Sequence, residues 1–356
     1  MSTGGLTAAD RLVNAFTMAG GKARPTLREV AAAAGVSVAT CSYVLSGRSD
    51  RVRQLPQDTQ DKVREAARRL GYAGNTAARV LRRQRTELIA LVYAPPVGPW
   101  LDRLTMQCED VAVAHGYSVI GLPIRHAERA EHSLRVITQG YVDGVIFAPG
   151  LADGLDLDRF ARSTRAIVAF SDYLEPGPAD LVRNQVRAAM GEAVEHLLKI
   201  GHRRIGYLAH TGRPADAGTR DRYLGYQDAL ERAGVPIDPA LARPGAASRE
   251  EALVGARELL DAADPPTALI SESDRGAIAA LQVARERGLA VPDDFAVIGV
   301  GNTQEAVVSF PALTSVGMAQ FDFTEIVEVL FARIDEPDRP PRVLDLPWVL
   351  DRRASA

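Results

Sequence analysis

A short helix–turn–helix pattern near the N-terminus constrains this chain more than any other feature of its sequence. Thr26 is followed three residues later by Glu29, the spacing of a capping box, so a helix is predicted to begin there. Gly35 tolerates the left-handed conformation that ends helices, and Ser37 is placed to cap a second helix through Ser46. Such a pair indicates a helix-turn-helix, whose second helix enters the DNA major groove. The alternative is an ordinary pair of short, alanine-rich helices.

The residues that follow favour the helix-turn-helix. Residues 57–70 predict a third amphipathic helix ended by Gly71, and Asn75 can cap one further helical turn before a basic tail. The run contains, in this order, T-L-x-x-V-A-x-x-A-G-V-S-x-x-T-x-S, L-G-Y, N-x-A-A-R-x-L and R-T. With this order and spacing it resembles the DNA-binding head and hinge of the LacI/GalR transcription regulators. The resemblance continues, more loosely, to the C-terminus.

The charge of the chain is divided between its two ends. Residues 24–85 contain 13 Lys or Arg and 5 Asp or Glu, a balance of +8, whereas residues 86–356 carry a balance of −12. A basic head on an acidic body is typical of a protein that presents one end to a polyanion. A generic basic surface is the alternative, but the basic region coincides with the helix-turn-helix.

The cysteines and the N-terminus indicate a cytoplasmic protein. Cys41 and Cys108 offer no zinc or disulfide spacing, and each is predicted to be a small buried apolar residue in a reducing compartment. Residues 1–23 contain no long apolar core, so they are interpreted as a flexible N-terminal extension and not as a signal peptide or membrane span. No cofactor, metal or membrane partner is predicted.

Beyond Glu87, short apolar runs alternate with helical stretches, the βαβ pattern of a parallel sheet. The predicted strands are 88–93, 118–123, 144–147, 166–170, 204–208, 268–271 and 296–299. The predicted helices are 101–115, 129–139, 187–200, 220–233, 249–262, 275–287 and 323–334. Crossings of the chain near Val186 and Val316 indicate two doubly wound lobes, whose facing strand ends form a ligand cleft. This part resembles the periplasmic-binding-protein-like core of the same family.

The predicted fold class is therefore α/β. It combines an N-terminal three-helix helix-turn-helix domain and a hinge helix with a periplasmic-binding-protein-like core of two doubly wound α/β lobes. The predicted domains are the extension 1–23, the DNA-binding domain 24–72, the hinge 73–85 and the effector-binding and dimerisation core 86–356. Within the core, lobe 1 covers about 86–186 and 317–346, and lobe 2 covers about 187–316 and 347–356.

The resemblance implies DNA contacts along the second helix and in the hinge. Hydroxyl groups there suit phosphate oxygens, and Val38 and Ala39 suit a thymine methyl group. Tyr43 stands where many relatives have an arginine that binds guanine, and it can donate to a base or a phosphate, or simply pack. Arg48 and Arg51 either clamp phosphates or belong to a solvated loop. The predicted DNA-binding residues are Thr26, Ser37, Val38, Ala39, Thr40, Ser42, Tyr43, Arg48, Arg51, Asn75, Ala78 and Leu81.

The hinge carries a further expectation. Residues 75–82 are too few for a stable helix in water, because nucleation costs more than one turn returns. Such a segment can become ordered when two copies pack together on DNA. Leu81 matches the family leucine that wedges into the minor groove and kinks the duplex, and Ala78 leaves room for close approach. The alternative for Leu81 is an ordinary linker contact.

The resemblance also implies effector-binding residues in the cleft. Asp172 matches an acceptor for ligand hydroxyls, and Arg222 matches an arginine that grips ligand oxygens. Ser273 and Asp274 fall at the family's Asn-Asp pair, and Trp100 falls where an apolar wall faces the ligand. For each residue the alternative is a salt bridge at the cleft edge, a helix cap or a core contact.

Departures from the family pattern leave the effector open. Gly301 stands where relatives often have a carboxylate, Gln185-Val186 replaces Asp-Asn, and Gly317-Met318 replaces a basic-Gln pair. These replacements leave the cleft with fewer hydrogen-bonding groups. The effector is therefore a sugar, a modified sugar or a less polar metabolite, or the cleft has lost its ligand.

The predicted function is a dimeric, ligand-responsive transcription factor, most readily a repressor of a pseudo-palindromic double-stranded DNA operator. A solute-binding sensor without a gene-regulatory role is the alternative, against which the basic head and the missing signal peptide argue. An enzyme is disfavoured, because the sequence offers no nucleophile–base–orienter set, metal-ligand spacing or phosphate-binding loop.

Overall fold

A computed structural model describes residues 25–46, 52, 55–72, 84–95, 98–124, 127–210, 220–319 and 321–356 of the chain. The chain separates into two compact units, Met1–Gln84 and Arg85–Ala356. The predicted extension 1–23 lies outside the described residues, as do five predicted DNA-binding residues, namely Arg48, Arg51, Asn75, Ala78 and Leu81.

The N-terminal unit contains three helices, α1 (Leu27–Ala34), α2 (Val38–Ser46) and α3 (Gln57–Leu70). Their shared core includes Val30, Cys41 and Val63, none of which is exposed to solvent. The three predicted helices and the inward orientation of Cys41 are therefore confirmed. Gly35 and Gly71 both adopt the left-handed conformation, each with φ of 67°, at the ends of α1 and α3.

The C-terminal unit contains two six-stranded sheets. The first has the strand order β11-β5-β4-β3-β1-β2, and all its pairs are parallel. Its strands are β1 (Leu88–Tyr93), β2 (Ser118–Pro123), β3 (Gly144–Phe147), β4 (Ala166–Phe170), β5 (Asp180–Arg183) and β11 (Val343–Asp345). Its helices are α4 (Pro99–Ala114), α5 (Ala127–Thr138), α6 (Leu157–Ala161) and α12 (Thr324–Asp335).

The second sheet has the order β12-β10-β9-β8-β6-β7 and is parallel except for the β10–β12 pair. Its strands are β6 (Ile205–Ala209), β7 (Ala242–Pro244), β8 (Ala268–Ser271), β9 (Ala296–Val300), β10 (Thr314–Met318) and β12 (Trp348–Asp351). Its helices are α7 (Val186–Lys199), α8 (Arg220–Arg232), α9 (Arg249–Leu260), α10 (Asp274–Glu286) and α11 (Gln304–Val308). The predicted α/β class with two lobes is confirmed.

Apolar cores cover both faces of each sheet, as a parallel sheet requires. In lobe 1, Phe170 packs on one face and Phe147 on the other, and neither is exposed. Lobe 2 has the same arrangement, with Tyr207 on one face and Leu269 on the other. Strands buried on both faces are short continuous apolar runs, which is why the sequence predicted most of them.

The structure contains five strands that were not predicted. β5, β7, β10, β11 and β12 were not predicted, because most are short or lie at sheet edges where the pairing partner defines the strand. The chain leaves the first sheet after β5 and enters lobe 2 at Val186, as expected. It leaves the second sheet after Met318, close to the expected crossing near Val316.

One close helix contact fixes the position of α8 in lobe 2. A Cβ atom added to Gly225 would lie 2.3 Å from the carbonyl oxygen of Arg187 in α7 and 2.8 Å from Cβ of Met190. Only glycine allows this approach. The contact holds the first turn of α8, which carries Arg220 and Arg222, against the body of the lobe.

Candidate functional site

The start of α1 is closed by the predicted capping box. The Thr26 backbone N–H donates to Glu29 Oε2 at 2.6 Å, and the Glu29 N–H donates to Thr26 Oγ1 at 3.3 Å. The hydrogen bonds that the Thr26 backbone N–H and the Thr26 hydroxyl donate to the Glu29 carboxylate hold its pKa below the usual value. The Thr26 hydroxyl also donates to Glu29 at 2.9 Å, so it already has a partner within the helix cap.

The first turn of α2 presents small side chains to solvent. Ser37 Oγ accepts the N–H of Thr40 at 3.0 Å, which confirms the predicted cap, and the two hydroxyls lie 2.8 Å apart. Ser37, Val38 and Ala39 are exposed, with Val38 at 44%. An exposed helix N-terminus with a capping hydroxyl is a suitable surface for phosphate oxygens.

The opposite side of α2 belongs to the core of the unit. Cys41 and Val44 are buried there, and Ser42 and Tyr43 are half-buried at the boundary. Of the predicted DNA-binding residues at α2, Ser37, Val38 and Ala39 are exposed, and Thr40, Ser42 and Tyr43 are half-buried. Which of them contact DNA stays a prediction.

The Ser37 side chain allows the helix cap to be separated from DNA contact. Ser37→Ala should lower the free energy of unfolding by about 1 kcal/mol, because the cap is lost. Ser37→Asp should retain the cap yet weaken DNA binding strongly, since a carboxylate then faces the phosphates. Thermal unfolding and gel-shift titration of both variants measure the two effects. Equal DNA affinity of Ser37→Asp and the parent would contradict the placement of this edge on DNA.

The core places its polar side chains at the carboxyl ends of the parallel strands. Asp172 follows β4, His210 follows β6, and Glu272 and Ser273 follow β8. Open α/β sheets bind ligands at this edge, where the strand ends leave a crevice. The candidate effector site is the cleft between the two lobes, where the carboxyl ends of the strands of both sheets lie.

On the lobe 1 side, Asp172 is held by backbone donors at the crossing between lobes. Its Oδ1 accepts the N–H groups of Asn184 at 2.8 Å and Gln185 at 3.4 Å. Burial raises the pKa of Asp172, although these two donors act in the opposite direction. Asp172 therefore organises the crossing and remains a candidate acceptor for an effector.

Trp100 forms an aromatic cluster with Phe170, the last residue of β4, and with Phe323. Its ring lies edge-on to Phe170 and Phe323, with 5.4 Å between ring centroids in each case. Its indole N–H is buried and has no hydrogen-bond partner. The predicted apolar wall is thus a half-buried aromatic contact, and its role in effector binding stays a prediction.

On the lobe 2 side, Arg222 is tied to the end of β8. Its Nη1 donates to the carbonyl oxygen of Glu272 at 2.7 Å, and its guanidinium carbon lies 5.6 Å from the Trp348 ring centroid. The hydrogen bond to Glu272 uses one of the five N–H donors of the Arg222 guanidinium, so other N–H groups can bind a ligand. Arg222 is therefore the strongest effector-binding candidate in this lobe.

Glu272 is the buried centre of the same region, and sequence reasoning did not single it out. It is 1% exposed, and its carboxylate accepts the Tyr207 hydroxyl at 2.6 Å and the His210 backbone N–H. Burial, with the charges of Arg222 and Arg275, lowers the pKa of His210 to about 4, so its imidazole is neutral at neutral pH. The sequence signal was Glu272 itself, a carboxylate that directly follows a fully buried strand.

Ser273 and Asp274 make contacts inside the protein. Ser273 caps α10, where its Oγ accepts the Gly276 N–H at 3.0 Å and donates to the Ala246 carbonyl at 2.7 Å. Asp274 is 2% exposed, and it accepts the Ser315 hydroxyl at 2.5 Å and the Thr303 N–H at 2.7 Å. These are the cap and core contacts that were the alternatives for this pair. Effector binding by either residue stays a prediction.

The positions that depart from the family pattern are occupied by internal contacts. Asn302 donates through Nδ2 to the Met318 carbonyl at 2.9 Å and accepts from Arg353 at 2.5 Å. Gly301 has φ of 133°, and a Cβ atom there would lie 3.1 Å from Asp274 Oδ2. A carboxylate at position 301 would therefore adjoin the buried carboxylate of Asp274, which glycine avoids.

In the described parts of the chain, no three His, Cys, Asp or Glu side chains come close enough together to hold a metal ion. None of the helices described above is both long and apolar enough to cross a bilayer.

Comparisons with known proteins agree with this architecture. Residues 26–75 match the model of bacterial regulatory proteins of the lacI family, and residues 194–356 match that of the periplasmic binding protein-like domain. The HTH-type transcriptional repressor CytR of Escherichia coli strain K12 is 29% identical over 301 residues, 83% of this chain and 86% of CytR.

Solved structures give the same fold. The transcriptional regulator CelR in complex with cellobiose has 27% identity and a TM-score of 0.66, and the match covers 94% of this chain and all of that one. The lac repressor dimer bound to operator and the anti-inducer ONPF has 24% identity and a TM-score of 0.76, over 94% of this chain and 99% of that one. At 24% identity, this second likeness shows the fold alone.

The HTH-type transcriptional regulator DegA of Bacillus subtilis strain 168 has higher identity to this chain. The two are 34% identical over 298 residues, 82% of this chain and 86% of DegA. Because this similarity extends through most of the chain, the protein belongs to the LacI family of DNA-binding transcription regulators.

Proposed function

We propose that this protein is a cytoplasmic, dimeric repressor whose affinity for a pseudo-palindromic operator is controlled by a small molecule in the interlobe cleft. The observation that carries the proposal is the exposed N-terminal edge of α2, Ser37 to Ala39, in a head of the family type. CytR is named as a repressor, and CelR was solved with cellobiose. The effector proposed here is a sugar or a related metabolite that binds Asp172 and Arg222.

The DNA-binding surface consists of the α2 edge and the hinge. Hydroxyls at Ser37, Thr40 and Ser42 contact phosphates, and the Thr26 hydroxyl does so once it turns away from Glu29. Val38 and Ala39 face base edges. Tyr43, Arg48 and Arg51 extend the surface, while Asn75, Ala78 and Leu81 belong to the paired hinges in the minor groove. The balance of +8 over residues 24–85 supports a binding strength that falls steeply with salt.

A second copy of the chain covers exposed apolar surfaces of the core. In lobe 2, Val307, Val308 and Phe310 are 47%, 70% and 95% exposed. In lobe 1, Met106 and Val113 on α4 are 56% and 66% exposed. Exposed apolar side chains grouped in this way are typical of protein–protein interfaces. The lac repressor of the same fold was solved as a dimer on operator DNA, which supports a second copy as the occupant.

Effector binding regulates this assembly through the relative orientation of the lobes. A ligand that binds one lobe arrangement better than the other shifts the population toward it. Separation of the paired hinges then lowers operator affinity, so effector and operator binding are coupled.

Selection of bound fragments from genomic DNA tests the proposal and would identify the operator. We expect enriched fragments to share a pseudo-palindrome, and their affinity to fall steeply with salt. If the protein prefers no duplex over bulk competitor DNA, with or without metabolites, the proposal is wrong. A protein that bound a small molecule but no duplex would instead be a solute-binding sensor.

Leu81→Ala tests the hinge on the selected operator. We expect operator affinity to fall at least about tenfold, because the bend that the wedge stabilises brings additional protein surface onto the DNA. Gel-shift titration measures the affinity, and a circular-permutation assay measures the bend. Leu70→Ala is the control, since Leu70 is a 37% exposed apolar residue at the end of α3. Unchanged affinity and bending in Leu81→Ala would contradict the wedge.

A further inference from the structure

One side chain of lobe 1 docks on lobe 2 at the edge of the cleft. Tyr173 directly follows Asp172, and its hydroxyl donates to the carboxylate of Asp221 in the first turn of α8. The guanidinium of Arg220 lies over the Tyr173 ring, with 4.1 Å from Cζ to the ring centroid. Two consecutive residues of lobe 2 thus hold one residue of lobe 1.

Both sides of this contact stand on rigid supports. The Tyr173 backbone N–H donates to Ser171 Oγ at 3.1 Å, which fixes the turn after β4. Arg220 and Asp221 begin α8, which cannot slide along α7 because of the close approach at Gly225. The Tyr173 side chain is 44% exposed, but the backbone on each side of the contact is held in place, so the contact links the position of one lobe to that of the other.

The surrounding charges support the same contact. Burial and the hydrogen bond to Asp221 raise the pKa of Tyr173, so the phenol remains a donor at neutral pH. The contact with Tyr173, and the charges of Asp221 and Asp153, raise the pKa of Arg220. Because Asp153 belongs to lobe 1, Arg220 is attracted to lobe 1 by a carboxylate as well as by the aromatic ring.

We propose that Tyr173, together with Arg220 and Asp221, is an interlobe latch that sets the fraction of molecules in which the cleft is closed. A ligand that binds the closed state has an apparent affinity proportional to that fraction. The latch thus adjusts the response to the effector without being part of the effector's binding chemistry. Its regulatory consequence rests on the proposed function, but its effect on the lobes does not.

The latch is testable without knowing the effector or the operator. The chain contains two tryptophans, Trp100 and Trp348, and both are half-buried. Trp348 packs against the apolar clusters of both lobes, so its fluorescence reports their separation. Loss of a charge-assisted hydrogen bond and a cation–π contact shifts an equilibrium by roughly tenfold toward the open state. In full-length Tyr173→Ala we expect stronger acrylamide quenching and a larger radius of gyration in X-ray scattering. Tyr173→Phe retains the ring beneath Arg220 and should give an intermediate result.

Tyr141→Ala is the matched control, because Tyr141 is a 59% exposed tyrosine elsewhere on lobe 1. It should behave like the parent in both measurements. If Tyr173→Ala fails to fold, Tyr173→Phe, Asp221→Asn and their double variant test the latch instead. Because the two residues share one hydrogen bond, their effects on quenching should be non-additive in the double variant. Quenching and radius of gyration unchanged from the parent in the folded Tyr173 variants would overturn the latch.

DNA binding separates this inference from the proposed function. A protein that binds no preferred duplex, yet opens in Tyr173→Ala, would refute the repressor and support the latch. A protein that binds its operator, yet shows parent-like quenching in Tyr173→Ala and Tyr173→Phe, would refute the latch and support the repressor.

Discussion

Phe310→Asp is expected to convert the proposed dimer into monomers and to weaken operator binding by about 100-fold. The Phe310 side chain is 95% exposed beside Val307 and Val308, so an aspartate there would have to be buried against a second copy of the same apolar surface. Burial of an unpaired carboxylate is costly. Once the heads separate, the second head no longer benefits from effective concentration, an advantage of about 10²–10⁴-fold in linked modules.

Sedimentation and gel-shift titration measure the two parts of this prediction. Ile200→Asp is the control, because Ile200 is a 49% exposed apolar residue elsewhere in lobe 2. It should leave the dimer and the operator affinity unchanged. A dimeric Phe310→Asp protein with parent-like affinity would show that this surface is not the dimer interface.

Arg333→Leu should cause the largest loss of stability, about 3–5 kcal/mol in the free energy of unfolding of the core. Arg333 is 4% exposed, and it donates to Asp180, which is not exposed at all, at 2.6 and 2.8 Å. Asp180 also accepts the Arg342 backbone N–H at 2.7 Å. Removal of the guanidinium leaves a buried carboxylate without its cation, which is the reason for the large effect.

Urea unfolding followed by fluorescence measures this change. Arg159→Leu is the control, because the Arg159–Glu131 pair has side chains 50% and 76% exposed and should contribute little. The double variant Arg333→Leu with Asp180→Leu should recover part of the loss, since no unpaired charge then remains buried. Equal unfolding midpoints for Arg333→Leu and Arg159→Leu would contradict the role of the buried pair.

Local sequence chemistry was sufficient for the head. The capping box of Thr26 and Glu29, the turn at Gly35 and the end of α3 at Gly71 are set by residues close together in the chain. The central strands were equally predictable from the sequence, because strands buried on both faces are short apolar runs between turn residues. The family resemblance rested on the same segment, since the spacing of its motif is a local property.

Contacts between residues distant in sequence determined the features of the site and the sheet edges that the sequence did not predict. Ser273 and Asp274 occupy positions that predicted an effector contact, but the folded chain brings the Ala246 carbonyl to Ser273 and the Ser315 hydroxyl to Asp274. The edge strands β7, β11 and β12 exist because a neighbouring strand supplies their hydrogen bonds. The Tyr173 contact with Arg220 and Asp221 joins positions almost fifty residues apart in two lobes.

The sequence by itself determined the three helices of the head, the alternation of strands and helices in the core, and the segregation of positive charge at one end. The tertiary structure alone decided which polar groups of the cleft are already satisfied, which apolar side chains remain uncovered, and where the lobes touch. The physical reason is range. Caps, turns and apolar periodicity depend on neighbours within a few residues, whereas burial and hydrogen-bond partners depend on what the folded chain brings from elsewhere.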